Sequence, residues 1–163
     1  MEKIPFTPQG LEVIKEELAY LKGTERQAVI NAIAVAREHG DLSENAEYHA
    51  AREKQSFIEG RISELEYVTS RAEVIDAEKL NGEKVTFGTS VGVVDEETDE
   101  ESQYHIVGPY ETDISKRMIS TSSPIARAVI GKSVGDSVEV QTPGGVRSYE
   151  ILSIALFDIT KVS

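Results

Sequence analysis

Two carboxylates stand close together in the middle of the N-terminal half of the chain. Asp41 and Glu44 are three residues apart. Carboxylate oxygens suit Mg²⁺, which proteins usually bind through one or two carboxylates together with water and substrate phosphate. A carboxylate beside a metal-bound water can also orient that water or accept its proton. Two ligands are too few to retain Mg²⁺, so the remaining ligands would have to come from another molecule.

The same spacing has a structural interpretation. Asp-x-x-Glu in front of a helix is a capping box with Asp in place of Ser or Thr. Acidic residues in the first turn also suit the positive end of the helix dipole. The two interpretations are compatible, because one of Asp41 and Glu44 can cap a helix while the other points outward.

Basic side chains flank the acidic pair. Arg37, Arg52 and Lys54 lie within about ten residues of Asp41 or Glu44 on either side. They could contact a phosphate backbone. They could equally form a solvated helix face in which glutamates and lysines pair at helical spacing.

The elements that must position Asp41 and Glu44 read as helices. Apolar residues recur at 3-4-3 spacing, and they are Leu11, Ile14, Leu18 and Leu21. Thr7-Pro8 supplies an N-cap followed by Pro at the first helical position, and Gly40 supplies a stop. A second helical stretch runs from about Ser43 to Ala72. Because the connection is short, the helices must be antiparallel, and residues 1–80 are predicted to form a coiled-coil hairpin with the acidic pair at its tip.

The second half of the chain changes period. Short strands are predicted at 84–87, 90–94, 104–107, 138–140 and 149–152. Thr142-Pro143-Gly144-Gly145 is a turn signal between the last two strands. We therefore expect an α+β fold, in which residues 81–163 form a small antiparallel β domain with one helix and the boundary lies near Leu80-Asn81-Gly82.

The helix of this domain begins at a recognisable signal. Ser123 is the predicted N-cap, Pro124 the first helical residue and Gly131 the stop. The helix start explains these residues fully. Alternatively, Ser122, Ser123 and Pro124 could form a docking surface, because a helix start presents unpaired backbone donors beside an apolar Pro-Ile edge.

Composition excludes several classes of protein. Seventeen Lys and Arg against 29 Asp and Glu give a net charge of −12, which argues against nucleic-acid affinity from the overall field. The chain has no Cys, so disulfides, Cys nucleophiles and thiolate metal sites are excluded. There is no apolar run of membrane-spanning length and no signal-peptide core, so we expect no membrane partner and a cytoplasmic location.

Long stretches of the chain carry a family resemblance. They are 4–7, 36–53, 59–62, 106–108, 122–128, 130–132 and 142–145. Through them the chain resembles the bacterial Gre transcript-cleavage factors of the GreA type, over nearly its whole length to about residue 157. The resemblance implies an N-terminal coiled coil and a C-terminal domain similar to FK506-binding proteins (FKBP-like).

The resemblance also implies a partner and roles for the tip residues. Gre factors bind RNA polymerase through the globular domain and extend the coiled coil through the secondary channel towards the active centre. There they stimulate the polymerase to cleave the 3′ end of backtracked nascent RNA. By matching motif, Asp41 would help hold the second Mg²⁺, which is shared with the polymerase, and Glu44 would position or activate the attacking water. We expect a monomer that binds no cofactor alone.

Three functions stay open at this point. The first is an elongation factor that stimulates the polymerase's nuclease and has no activity alone. The second is a regulator of the same architecture that occupies the secondary channel and tunes or inhibits the polymerase without cleavage. The third is an enzyme in its own right, either a metal nuclease or a prolyl isomerase. The nuclease lacks ligands, and the low aromatic content of the second half argues against a proline pocket.

Overall fold

The computed structural model describes residues 2–40, 45–75 and 83–158. The chain divides into two compact units. The first, called here the hairpin unit, comprises residues 11–71, and the second, the globular unit, comprises residues 2–10 and the described chain from residue 72 onwards. The predicted boundary at Leu80-Asn81-Gly82 lies outside the described residues.

The hairpin unit is helical. Its elements are α1 (Pro8–Tyr20, which begins in the globular unit), a π-helical segment (Leu21–Glu25), α2 (Arg26–Arg37) and α3 (Ala46–Ser70). Thr7 caps α1 as predicted, because its Oγ1 accepts a hydrogen bond from the Gly10 amide at 3.1 Å. Gly40 has φ +99°, the left-handed conformation expected of a glycine that ends a helix. The π-helical segment interrupts a stripe that the sequence predicts to be continuous.

Ion pairs and apolar contacts show that α2 and α3 run antiparallel. Arg26, at the start of α2, pairs with Glu59 in α3 at 2.9 Å. At the other end of α2, the Ala36 carbonyl accepts a hydrogen bond from the side chain of Asn45, which immediately precedes α3. The buried side chains between the helices are Val29, Ile33, Ala51, Ile58 and Ile62, with Leu18, Leu21 and Tyr48 packed against them.

The globular unit is built on a five-stranded sheet. Its strands are β3 (Thr89–Asp95), β4 (Glu101–Val107), β5 (Met118–Ser120), β6 (Ser137–Thr142) and β7 (Gly145–Leu156), in the order β5-β4-β3-β7-β6. Helix α4 (Pro124–Val129) follows β5 in the chain. A separate two-stranded sheet pairs β1 (Ile4–Phe6) with β2 (Ala72–Val74) in parallel.

The core of the globular unit lies on one face of the five-stranded sheet. Its buried residues are Val85, Val91, Val93, Ile106, Ala126, Val129, Val138, Val140 and Ile151. Since Val91 and Val93 alternate with Ser90 and Gly92 along β3, period-two spacing places the valines on the same face. Ala126 and Val129 bring α4 into this cluster.

Two predictions for the sheet are wrong. The sheet is mixed, because β5 pairs in parallel with β4 after a ten-residue connection that contains a 3₁₀ turn, Ile114–Lys116. Residues 84–87 are not a strand. Val85 is nevertheless fully buried, and its backbone bonds to the chain after α4: its amide donates to the Lys132 carbonyl, and its carbonyl accepts from the Gly131 amide.

None of the helices in the described part of the chain combines the length and apolarity needed to cross a bilayer.

Candidate functional site

The predicted catalytic residues Asp41 and Glu44 belong to the tip segment, residues 41–44. This segment lies outside the described residues. The chain on both sides is described. Gly40 ends the first arm of the hairpin and Asn45 begins the second. What the structure contributes is therefore the geometry of the residues that bracket the tip.

Asn45 holds the two arms together where the tip segment leaves them. Its Oδ1 accepts a hydrogen bond from the Tyr48 amide at 3.0 Å, which caps α3. Its Nδ2 donates to the Ala36 carbonyl at 2.7 Å, close to the end of α2. The N-cap of α3 is thus Asn45.

Sequence reasoning did not identify Asn45. Asn is among the preferred N-cap residues, so the signal for capping was present. The capping role was instead assigned to Asp41 and Glu44, since Asp-x-x-Glu matches a capping box. The second hydrogen bond, to Ala36, depends on the approach of α2 and has no local sequence signal.

Arg37 and Arg52 converge on Tyr48. The guanidinium carbon of each arginine lies 5.9 Å from the centre of the Tyr48 ring, one from each arm of the hairpin. Arg52 also donates a hydrogen bond to the Tyr48 hydroxyl at 3.1 Å. Hydrogen bonding from Arg37 and then Arg52 lowers the pKa of Tyr48. The tyrosine thus orders two cations on the described chain that flanks the tip segment.

Lys54 belongs to a different cluster. Its ammonium group pairs with Glu25 across the hairpin at 3.6 Å. Glu25 also accepts a hydrogen bond from the Tyr20 hydroxyl at 2.9 Å, so this cluster sits at the π-helical segment. The structure therefore brings Arg37 and Arg52 together and places Lys54 in an ion pair of its own.

The predicted docking residues form the start of α4. Ser123 is the N-cap, and its Oγ accepts from the Ala126 amide at 3.3 Å, which confirms the predicted helix start. Pro124 occupies the first turn. The Ser122 hydroxyl lies 2.8 Å from the Ser120 hydroxyl. Ser122 and Pro124 are exposed, and their docking role stays a prediction.

Among the described residues, no group of three or more His, Cys, Asp or Glu side chains could hold a metal ion. Asp41 and Glu44 fall outside that search. The donor type of this pair, two carboxylates, fits Mg²⁺ only if a partner supplies the remaining ligands.

Comparison with known proteins assigns both halves of the chain. The family model described as "Transcription elongation factor, N-terminal" matches residues 4–74, and "Transcription elongation factor, GreA/GreB, C-term" matches residues 80–156. Two relatives carry the name transcription elongation factor GreA. The one from Ruegeria pomeroyi is 64% identical over 154 residues, covering 94% of this chain and 98% of its own. The one from Rhodospirillum rubrum is 60% identical, with the same coverage.

Solved structures include a homologous factor. GreA factor homolog 1 of Thermus thermophilus is 27% identical, with a TM-score of 0.44, over 94% of this chain and 99% of that one. On the two family matches and the identity to the named relatives, the chain belongs to the GreA/GreB family of transcription elongation factors.

Proposed function

We propose that this elongation factor binds RNA polymerase, extends its helical hairpin through the secondary channel, and stimulates endonucleolytic cleavage of the backtracked nascent RNA 3′ end. The observation that carries the proposal is the pair of Asn45 hydrogen bonds, to the Tyr48 amide and the Ala36 carbonyl. These bonds fix the two helix ends that residues 41–44 connect. A fixed base limits the conformational entropy that the acidic pair loses on entering another protein's active site.

Asp41 and Glu44 are assigned complementary roles in this proposal. Mg²⁺, held by the polymerase in a two-metal arrangement, supplies charge stabilisation and an activated water when bound. Asp41 would add one carboxylate oxygen to the ligands of the second ion and so would raise its occupancy. Glu44 would position or activate the attacking water. The factor alone has too few ligands for this chemistry, so the proposal assigns it no hydrolytic activity of its own.

Arg37 and Arg52 are assigned the phosphate contacts of the extruded RNA. Both guanidinium groups face Tyr48 next to the tip segment, and arginine forks match phosphate oxygens. Lys54 is the weaker candidate for this role, because Glu25 already shares its charge. In the globular unit, Ser122, Ser123 and Pro124 remain the proposed docking residues.

The test measures RNA length on a denaturing gel. Backtracked elongation complexes in Mg²⁺ receive wild-type protein, Asp41→Asn, Glu44→Gln, or the control Glu47→Gln. Glu47 is an exposed carboxylate in the first turn of α3 and has no assigned role. We expect each tip variant to lower the cleavage rate by about 100-fold, equivalent to ~2.7 kcal/mol, while polymerase binding and the control stay at wild-type levels.

Other outcomes would contradict the proposal in different ways. Reduced elongation without RNA shortening by the wild-type protein would make the factor a secondary-channel regulator that does not stimulate cleavage. Equal shortening by wild type and both tip variants would remove the catalytic role from Asp41 and Glu44. RNA shortening in the absence of polymerase would make the factor a nuclease.

A further inference from the structure

A small polar pocket opens on the globular unit, on residues that the proposed function does not use. It has a volume of about 200 Å³. This is below the range of ~300–1,000 Å³ found for sites of drug-sized ligands. Two arginines, two tyrosines, two carboxylates and a serine line it, and they are Arg117, Arg147, Tyr104, Tyr149, Asp95, Glu100 and Ser102. A ligand here would be small and polar.

The strand period explains why these residues meet. Tyr104 lies opposite Val91 and Ser102 lies opposite Val93, so both share the face of the sheet that carries the core. Tyr149 lies opposite Asp95 at the end of β3. The inner parts of both tyrosines pack against the core cluster. The pocket is therefore a continuation of the core face beyond the region covered by α4, with a rigid floor.

Arg117 is held in an unusual conformation beside the pocket. Its φ is +56° and its ψ +32°, the left-handed region that non-glycine residues seldom occupy. Its carbonyl accepts from the His105 amide at 2.8 Å, and its amide donates to the Ile114 carbonyl at 3.0 Å. The guanidinium carbon lies 5.3 Å from the centre of the Tyr104 ring. Backbone hydrogen bonds thus hold Arg117 in this strained conformation, and its guanidinium group lies over the Tyr104 ring.

The two arginines of the pocket are paired differently, although its lining also holds two carboxylates, Asp95 and Glu100. Among the residues that the structure describes, Arg117 forms no ion pair with a carboxylate. Arg147 pairs with Asp95 at 2.8 Å, and its side chain is half exposed. Asp95 also accepts from the Glu97 and Thr98 amides, and these bonds, with Arg147, lower its pKa. Asp95 is therefore engaged by Arg147 and two backbone amides, whereas Arg117 forms no ion pair among the described residues.

The hydroxyl groups add donors from other directions. Burial raises the pKa of Tyr149, so its hydroxyl keeps its proton at neutral pH. Tyr104 and Ser102 contribute further hydroxyls from β4. One arginine fork is enough for a planar carboxylate, whereas donors arriving from several sides suit a tetrahedral oxyanion. We infer that this pocket is a binding site for a phosphate group, either free phosphate or a small phosphomonoester, with Arg117 as the principal ligand.

The overall charge sets the expected strength. The net charge of −12 repels anions at long range, and Glu100, an exposed residue, also lines the pocket. At physiological ionic strength, exposed charges beyond about 8 Å are largely screened. The local field is therefore set by the two arginines and two carboxylates of the lining, and a phosphate group should bind weakly. We expect a dissociation constant on the order of 1 mM.

The experiment is an NMR titration of the full ¹⁵N-labelled chain at constant ionic strength. Its three arms are inorganic phosphate, uridine 5′-monophosphate and acetate, each replacing chloride. We expect saturable shifts of the amide or side-chain signals of Arg117, Tyr104 and Tyr149 with phosphate and none with acetate. Saturation by phosphate alone identifies the free anion as the ligand, and tighter saturation by the nucleotide identifies a phosphomonoester. Either result supports the site.

Variants localise the effect. Arg117→Asn keeps a residue that tolerates the left-handed conformation and should weaken phosphate binding about tenfold. Tyr104→Phe keeps the ring and should weaken it less. The control Arg127→Asn changes an exposed arginine of α4 and should bind like wild type. Absence of saturable shifts, equal binding of acetate, or wild-type affinity in a folded Arg117→Asn protein would overturn the inference.

Discussion

The hairpin unit and the globular unit of this elongation factor bury their apolar side chains in different arrangements. Between α2 and α3 the buried side chains form a cluster between helices, and a partly exposed ion pair, Arg26–Glu59, joins the same two helices. In the globular unit the buried face belongs to a sheet, and Val91, Val93 and Ile106 on it are fully buried. The hairpin thus uses much of its surface for charge, while the globular unit uses its sheet to enclose a core.

This difference separates function from stability. The proposed cleavage residues, Asp41 and Glu44, lie in the sequence between the two arms of the hairpin. The core of the globular unit is built from apolar side chains of its sheet and of α4. Substitutions at the hairpin tip should therefore reduce cleavage activity, whereas substitutions in the globular core should reduce the stability of the fold.

The largest effect on stability is expected in the globular core. Ile106→Ala removes a side chain with 0% exposure and should destabilise the unit by about 2–5 kcal/mol, through lost transfer energy and a cavity. Ile114→Ala in the same unit changes a side chain that is 88% exposed and should alter stability by less than about 0.5 kcal/mol. Chemical denaturation followed by circular dichroism measures both. Equal effects would contradict the assignment of the core.

The next effect tests the base of the tip. Asn45→Ala removes the N-cap of α3 and the bond to Ala36, and should cost about 1–2 kcal/mol of hairpin stability. Cleavage should fall more than polymerase binding does, because the acidic pair loses its fixed base. Asn31→Ala, on the exposed side of α2, is the matched control and should leave both properties unchanged. Wild-type cleavage in Asn45→Ala would separate Asn45 from the function.

A smaller effect is expected from the ion pair that joins α1 to α3. Arg61 donates from Nε and Nη2 to the two oxygens of Glu17 at 3.0 and 2.9 Å. Both side chains are more than one-third exposed, at 34% and 38%, so a double-mutant cycle of Arg61→Gln and Glu17→Gln should give a coupling of about 0.2–1 kcal/mol that shrinks in high salt. A salt-independent coupling would show that burial, not charge, joins these helices.

The smallest effect is a pH slope in the globular unit. The Glu111 carboxylate accepts from the Thr7 amide at 2.6 Å and the Thr7 hydroxyl at 2.8 Å. Burial raises the pKa of Glu111 above its ordinary value of about 4.5 despite these bonds. The folded state therefore holds this proton more tightly than the unfolded chain, and the stability that protonation gives is lost as pH rises through the folded-state pKa.

Glu111→Gln should remove this contribution. The unfolding free energy of the wild type minus that of Glu111→Gln is expected to decrease as the pH is raised from about 4 towards neutrality. Thermal unfolding at a series of pH values measures the difference. A difference that increases with pH would reverse the sign assigned to Glu111.

The sequence predicted those elements whose signals are local. The helix boundaries at Thr7, Gly40 and Ser123 follow from capping preferences that act within a few residues. The alternation of apolar residues in β3 and β4 was long enough to show a period of two. In these stretches, propensity and tertiary packing favour the same conformation.

Other features depend on distant partners. β5 has three residues, too few for a period, and exists because it pairs with β4. Val85 looked like part of a strand, but its backbone bonds to residues after α4. The π-helical segment, Leu21–Glu25, has no signal in the spacing of the apolar residues before it. For the site, Arg37 and Arg52 could be selected by charge, but Tyr48 between them required the fold.

The central claim is that Asp41 supplies a ligand to a metal ion that the polymerase holds. The most direct measurement is the cleavage rate of backtracked complexes as a function of Mg²⁺ concentration, with saturating wild-type factor or Asp41→Asn. We expect Asp41→Asn to shift the half-saturating Mg²⁺ concentration upward, and high Mg²⁺ to restore part of the rate. An unchanged Mg²⁺ dependence, with or without a lower maximal rate, would contradict the assignment of Asp41 as a metal ligand.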